Sequence, residues 1–184
     1  MTTWHYPAST RQFRPWKNGG GETAEIAVSP AGAGFDDFDW RISTAIVAQS
    51  GPFSGFPGVD RVLTVIEGGG MELTVAGAPR HLDAGSDPFA FPGDVPAAAV
   101  LTGPALLDFN VMVRRPLRAS VRRARVTEGA APGALAHLAL LLEDGGGLAR
   151  LDLIDLHAAP AAVRQGLAGV LALEVAVLAP AAIP

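Results

Sequence analysis

The apolar residues of this chain occur in short runs that glycine and proline interrupt repeatedly. The 184 residues include 22 glycines and 15 prolines, and interruptions such as Gly68-Gly69-Gly70 and Pro92-Gly93 separate one run from the next. Long helices do not continue through such interruptions, whereas β-strands of ordinary length fit between them. The pattern therefore predicts an all-β fold built from many short strands.

These runs form two series along the chain. In the first series we predict strands at 22–28, 40–47, 62–67, 71–75, 97–101 and 106–113. In the second series we predict strands at 121–126, 137–142, 148–156 and 170–178, although stretches 134–142 and 161–168 fit helices equally well. Within 106–113, strict alternation places Asp108 and Asn110 on one face and Phe109 on the other.

The aromatic residues divide the chain into two parts. Every Trp, Phe and Tyr lies at or before Phe109, so stacking surfaces and a ligand pocket are expected in the first part. We predict a first barrel at 1–115 with an N-terminal arm, and a second, degenerate barrel at 116–184 on which that arm can pack. The second part is expected to serve packing and assembly, with a homodimer as a possible state.

Charge and composition exclude several functional classes. The net charge is −4 and the pI is near 5.5, so neither nucleic acid nor a membrane is an expected partner. Six arginines lie between Arg114 and Arg125, but without interleaved aromatic residues they fit a solvated edge strand better than a nucleic-acid patch. The chain has no cysteine, hence no disulfide and no thiolate ligand. The N-terminus lacks the features of a signal peptide, and we expect a cytoplasmic protein.

Two segments resemble the paired motifs of cupins. The stretch 60–68 ends in Ile-Glu-Gly, and Phe91-Pro92-Gly93-Asp94 follows it. Metal-binding cupins carry His ligands in both motifs and a Glu ligand in the first, whereas here Ala97 stands at the second His position and Arg61 at the Glu position. A guanidinium repels a divalent cation and binds a carboxylate through two parallel hydrogen bonds. We therefore expect no metal and no other cofactor, and a pocket that holds a small anion.

The segment from Pro15 to Gly21 is the most unusual part of the sequence. It contains Lys17, the only lysine, and Asn18, one of only two asparagines. In a chain rich in Ala, Gly, Pro and Arg, the presence of both residues side by side indicates a function, although chance survival also explains it. A bent arm that packs against the barrel is an equally open interpretation of the segment.

Six segments carry a combined resemblance to a known family. They lie at 15–23, 38–43, 51–58, 60–61, 91–94 and 108–112, and together they resemble the HutD/Ves family of bicupins. This resemblance implies two cupin barrels in one chain. It also implies a link to bacterial histidine utilisation, in which such proteins act as regulators rather than as pathway enzymes.

The leading functional hypothesis is a binding module for a small carboxylate of the formylglutamate or urocanate kind. Its predicted ligand-binding residues are Arg61 as the clamp, with Lys17, Asn18, Arg41, Asn110, Phe53 and Phe109. The alternative is a metal-independent isomerase or hydrolase acting on a small carboxylate, but no residue is evident as its base and we name no catalytic residue. A purely structural role also fits the sequence.

Arg61 has two open interpretations. It alternates with Leu63 and Val65, so it faces the interior if they do. A buried guanidinium without an acidic partner is unfavourable. The partner is therefore either a ligand carboxylate or an internal acid, for which Asp39, Asp94 and Asp108 are the candidates.

Overall fold

The structure is a computed structural model that describes residues 3–129 and 131–180. In chain order the strands are β1 (His5–Tyr6), β2 (Arg14–Pro15), β3 (Gly21–Ser29), β4 (Trp40–Val47), β5 (Gly51–Pro52), β6 (Val59–Gly68), β7 (Met71–Val75), β8 (Ala78–Leu82), β9 (Phe89–Pro92), β10 (Ala97–Leu101), β11 (Leu106–Arg114), β12 (Arg118–Arg125), β13 (Ala134–Leu141), β14 (Leu153–Asp155) and β15 (Leu171–Leu178). A 3-10 turn spans Ala8–Thr10, and the helix α1 spans Ala161–Leu167. The predicted all-β fold is confirmed. No helix in these described ranges is long and apolar enough to cross a membrane.

The chain divides into two compact units, Gln12–Arg115 and the residues up to Arg11 together with those from Pro116. The 12–115 unit contains a six-stranded sheet in the order β2-β3-β4-β11-β6-β9 and a four-stranded sheet in the order β5-β10-β7-β8. Leu63 and Val65 of the first sheet share one apolar core with Leu73 and Ala99 of the second. The two sheets therefore face each other as the layers of a cupin-like β-sandwich.

The register of the central strand β11 defines which residues of the six-stranded sheet point inward. Met112 lies opposite Arg41 of β4 on one side and Arg61 of β6 on the other. Opposed residues share a face, as do alternate residues of one strand. Because Arg61 alternates with the core residues Leu63 and Val65, it lies on the interior face, as the alternation predicts.

The second unit contains one five-stranded antiparallel sheet in the order β1-β14-β13-β15-β12. The N-terminal arm belongs to this unit, since His5 of β1 pairs with Ile154 of β14. The core of the unit includes Ile154 together with Leu141 of β13 and Leu167 of α1. The described residues form this single sheet with α1, so the two-barrel architecture stays a prediction.

The two ambiguous stretches of the second unit adopt different structures. Residues 134–141 form β13, whereas 161–167 form α1 after Pro160, whose fixed φ suits the start of a helix. The strand predicted at 148–156 is wrong in length, since β14 covers only Leu153–Asp155. Leu151 adopts a φ of +71°, and a continuous strand does not accommodate that conformation.

Candidate functional site

Besides Ser43, four buried polar side chains lie on the interior face of the six-stranded sheet. Arg61 and Arg41 flank β11 at one level, and Asn110 and Asp108 follow at alternate positions along β11. Their relative exposures are 7% for Arg61, 9% for Arg41, 7% for Asn110 and 3% for Asp108. We refer to these four residues as the interior polar cluster. Because buried polar groups are unfavourable unless they are paired, the partners of each side chain determine what the cluster can bind.

The guanidinium of Arg61 lies among three phenyl rings. Its Cζ is 5.3 Å, 5.6 Å and 5.2 Å from the ring centroids of Phe53, Phe56 and Phe91. Contacts of this kind stabilise a cation while they exclude water from it. Gly93 provides room for the side chain, since a Cβ there would lie 3.3 Å from both Cγ and Cδ of Arg61.

The hydrogen bonds of Arg61 are few and long. Nε donates to Oδ1 of Asn110 at 3.4 Å, and Nη1 donates to the carbonyl of Ser54 at 3.5 Å. Both distances lie beyond the usual range for N–H···O bonds. Nη2 donates to no described residue. The guanidinium therefore keeps donors available for a further acceptor.

No described carboxylate forms an ion pair with Arg61. Of the internal acids considered above, Asp94 pairs with Arg115, and Asp39 is exposed. Asp108 is close enough to act on the pKa of Arg61 but is not in ion-pair contact. The internal salt bridge is therefore not formed within the described part of the chain.

Arg41 differs from Arg61 because its charge is already compensated. Its Nε donates to Oε2 of Glu25 at 2.8 Å, and its Cζ lies 4.5 Å from the ring centroid of Phe35. The cluster therefore holds one paired guanidinium and one unpaired guanidinium at the same level of the sheet.

Burial controls the ionisation of the two strongly perturbed groups in the cluster. Burial lowers the pKa of Arg61 to about 10, while the charge of Asp108 opposes this shift and the charge of Arg41 adds to it. Burial also raises the pKa of Asp108 to about 7, against the opposing effects of the Arg61 charge and a backbone contact with Ala45. Oδ1 of Asp108 is buried and has no hydrogen-bond partner among the described residues.

Two predicted site residues, Lys17 and Asn18, do not lie near Arg61. They are exposed in the turn between β2 and β3. The register across β3, β4, β11 and β6 places Gly21, which follows this turn, level with Gly68. Arg61 lies seven positions before Gly68 on β6, roughly 20 Å away along the strand direction. The sequence could not show this separation because it depends on three strand pairings.

The remaining predicted residues are placed as follows. Phe53, Arg41 and Asn110 lie with Arg61, whereas Phe109 is fully buried on the opposite face of the six-stranded sheet. The glycine segment around the turn has a packing role, since a Cβ at Gly21 would lie 2.3 Å from the carbonyl of Ile46.

Comparison with known proteins assigns the family. The sequence profile of the HutD family matches residues 8–165. The chain belongs to the HutD family. It is 46% identical over 98 residues to an uncharacterized 21.2 kDa protein in the hutC 3′ region of Pseudomonas putida, covering 53% of this chain and 51% of that protein. It is 44% identical over 127 residues to Protein Ves of Cronobacter sakazakii, covering 67% of this chain and 68% of that protein. The match thus spans about half the length of the Pseudomonas putida relative.

Two solved structures are similar along almost the whole chain. A conserved protein of unknown function from Pseudomonas aeruginosa has a TM-score of 0.72 and 36% identity, with 96% of this chain and 93% of that chain covered. HutD from Pseudomonas fluorescens, solved in a formate condition, has a TM-score of 0.75 and 32% identity, with coverages of 95% and 97%. The predicted membership in the HutD/Ves family is confirmed.

The donor set of this HutD-family chain does not resemble a metal site. Within residues 3–129 and 131–180, no group of three or more His, Cys, Asp or Glu side chains is arranged to hold a metal ion. The interior polar cluster instead presents two guanidinium groups, an amide and one carboxyl group, and guanidinium groups do not ligate cations. The metal-free state of the purified protein stays a prediction.

Sequence reasoning missed three contributors to the cluster of this HutD-family protein. Phe91 reaches Arg61 through the pairing of β9 with β6, but the strand 89–92 was not among the predicted ones. Phe56 lies in an irregular loop, where alternation gives no information. Glu25 reaches Arg41 across β3 and β4, next to an irregularity in their register. Only Phe91 had a local signal, since it belongs to the second cupin-like motif.

The second unit also contains buried titratable groups that the sequence did not reveal. Glu174 and His137 are each 3% exposed. Oε2 of Glu174 accepts a hydrogen bond from Nη2 of Arg122, and Oε1 of Glu174 has no partner among the described residues. Nδ1 of His137 accepts from the backbone N–H of Ala131 at 3.1 Å. Burial lowers the pKa of His137, so the neutral ring is favoured.

Proposed function

We propose that this protein binds a small carboxylate in the interior of the 12–115 unit, with Arg61 as the residue that holds the anion. The observation that carries the proposal is a buried guanidinium for which no described residue supplies an ion-pair partner. An uncompensated buried charge is strongly unfavourable. A carboxylate ligand removes this penalty and gains charge-assisted hydrogen bonds at the same time.

The surroundings of Arg61 favour a flat anion. Phe53, Phe56 and Phe91 surround the guanidinium and supply apolar walls for a planar group. Asn110 supplies an amide within reach of the same anion, because its Oδ1 is 3.4 Å from Nε of Arg61. The nearby Arg41 adds positive potential even though Glu25 holds it.

Membership in the HutD family supports a ligand from histidine utilisation. A cupin-type protein associated with histidine utilisation would meet carboxylates of the formylglutamate or urocanate kind, and ligand binding would modulate that pathway or a related one. The HutD structure from Pseudomonas fluorescens was solved in a formate condition, and formate is the smallest carboxylate that can serve as a probe.

A titration of the intact protein tests the proposal. Formate, N-formylglutamate and urocanate are titrated into the wild type, Arg61→Ala and Arg118→Ala, with circular dichroism as the folding control. Arg118 is an exposed arginine of the second unit, so its replacement removes the same charge without touching the cluster. We expect saturable binding to the wild type and to Arg118→Ala, and none to Arg61→Ala. Equal affinity for all three proteins would reject the proposal.

A second candidate function is a metal-independent enzyme acting on a small carboxylate, as an isomerase or hydrolase. The observation that favours it is Asp108, whose pKa near 7 suits a general base or acid at neutral pH. Prolonged incubation of the protein with each candidate ligand, followed by NMR of the ligand, separates the two functions. Product formation that Asp108→Asn abolishes would favour the enzyme.

A further inference from the structure

We propose that Asp108 is a second determinant of ligand binding in the 12–115 unit, and that it takes up a proton when the anion binds at Arg61. The site would then accept a carboxylate together with one proton rather than the bare anion. This inference rests on the proposed function, because it requires an anion at Arg61.

The placement of Asp108 supports this role. It lies on the same interior face as Arg61, on the adjacent strand, with Asn110 between the two levels. The side chain is 3% exposed, and its Oδ1 has no hydrogen-bond partner in the described ranges. A buried carboxylate with an unsatisfied oxygen is unfavourable as an ion, whereas the protonated acid can donate a hydrogen bond.

Asp108 is the only buried acidic side chain among the described charged residues on this face. The unit contains one histidine, His81, which lies opposite Glu72 on the outward face of the four-stranded sheet and contacts Asp83. The strands β5, β7, β9 and β10 direct apolar residues inward, among them Leu73, Phe91 and Ala99. The charged residues that remain on the interior side are Arg61, Arg41, Arg114, the half-exposed Glu25, and Arg14 and Arg80 on edge strands.

The direction of the proton transfer follows from charge. In the free protein, the positive charge of Arg61 partly favours the ionised form of Asp108. A bound carboxylate neutralises that positive charge and brings a negative charge close to Asp108, and both effects raise the pKa of the Asp108 carboxyl group. Since this pKa is about 7 in the free protein, about half of the molecules take up a proton on binding at neutral pH.

The consequence is an affinity that falls as the pH rises. Well below pH 7 Asp108 is already protonated, and binding is insensitive to pH. Above the free-state pKa of about 7, each binding event must also draw a proton from solution, so the affinity drops by up to about tenfold per pH unit.

Formate titrations of the intact protein at pH 6 and pH 8, at constant ionic strength, test the inference. Formate remains ionised at both values. We expect the dissociation constant of the wild type to rise about tenfold between pH 6 and pH 8. In Asp108→Asn the constant is expected to be the same at both values and, at pH 8, lower than that of the wild type. Tighter binding by a variant in which an amide replaces the carboxyl group is not expected from a merely structural role.

Proton uptake by the wild type provides a second measurement that requires no variant to fold. Formate is added to a weakly buffered sample at pH 7, and the acid needed to hold the pH is recorded, with uptake of about half a proton per bound formate expected. Saturable formate binding with equal affinity at both pH values and no uptake would overturn the role of Asp108 and leave the proposed function standing. Failure of the wild type to bind formate or the larger carboxylates at either pH would overturn both.

Discussion

Arg61 and Asp108 lie on the same interior face of neighbouring strands, yet no ion pair joins them among the described residues. Their charges still act on each other, since Asp108 raises the pKa of Arg61 and Arg61 lowers that of Asp108. Burial is the larger effect for both groups and disfavours both charges. Both charges are therefore unfavourable at their buried positions, and an anion together with a proton relieves this.

The first prediction concerns stability rather than binding. The pKa of Asp108 is raised from 3.8 to about 7, so the fold favours the protonated acid. Its stabilising effect is complete below about pH 4 and is lost as the pH rises to about 7. The wild type is therefore expected to lose stability relative to Asp108→Asn as the pH rises. From pH 4 to pH 8, the unfolding free energy of Asp108→Asn minus that of the wild type is expected to increase by on the order of 2–4 kcal/mol. Urea unfolding of both proteins at the two pH values measures this difference, and an unchanged difference would contradict it.

The second prediction concerns the space beside Arg61. A Cβ at Gly93 would lie 2.9 Å from the carbonyl of Val59 and 3.3 Å from the Arg61 side chain. Gly93→Ala is therefore expected to destabilise the protein by about 1–3 kcal/mol and to weaken carboxylate binding. Gly51→Ala is the matched control, because a Cβ there meets nothing within 4 Å. Equal unfolding midpoints and affinities in the two variants would show that Gly93 does not shape the site.

The third prediction separates the turn at Lys17 from the cluster. The strand register places this turn at the opposite end of the sheet from Arg61. Lys17→Ala is expected to leave the affinity for formate within about twofold of the wild type, since an exposed charge at that distance is screened by salt. The formate titration used for Arg61→Ala checks it. A large loss of affinity would restore Lys17 to the site predicted from the sequence.

The sequence predicts the face on which a residue lies, but not which residues the strand pairings bring together. Alternation with Leu63 and Val65 was sufficient to place Arg61 inside, because a period of two is a local property. The separation of Lys17 from Arg61 depends on which strands pair across the sheet, and local patterns carry no information about that order. The same limit applies to Arg61 and Asp108, whose lack of an ion pair depends on side-chain geometry rather than on residue type.

The fourth prediction concerns the second unit. Oε2 of the buried Glu174 accepts from Nη2 of Arg122, which is largely exposed. Arg122→Ala leaves a buried carboxylate without its cation, and we expect a loss of about 1–3 kcal/mol in unfolding free energy. Arg118→Ala is the control for charge. Formate affinity is expected to stay unchanged in both variants, and a selective loss of affinity in a folded Arg122→Ala protein would place part of the site in the second unit.

The central claim is that a carboxylate lies against Arg61, among the aromatic rings of Phe53, Phe56 and Phe91. The most direct measurement is the nuclear Overhauser effect between the carbon-bound proton of formate and the aromatic protons of the protein. We predict cross-peaks to these three rings in the wild type and their disappearance in Arg61→Ala. Saturable formate binding without cross-peaks to any of the three rings, or cross-peaks that persist in a folded Arg61→Ala protein, would contradict the claim.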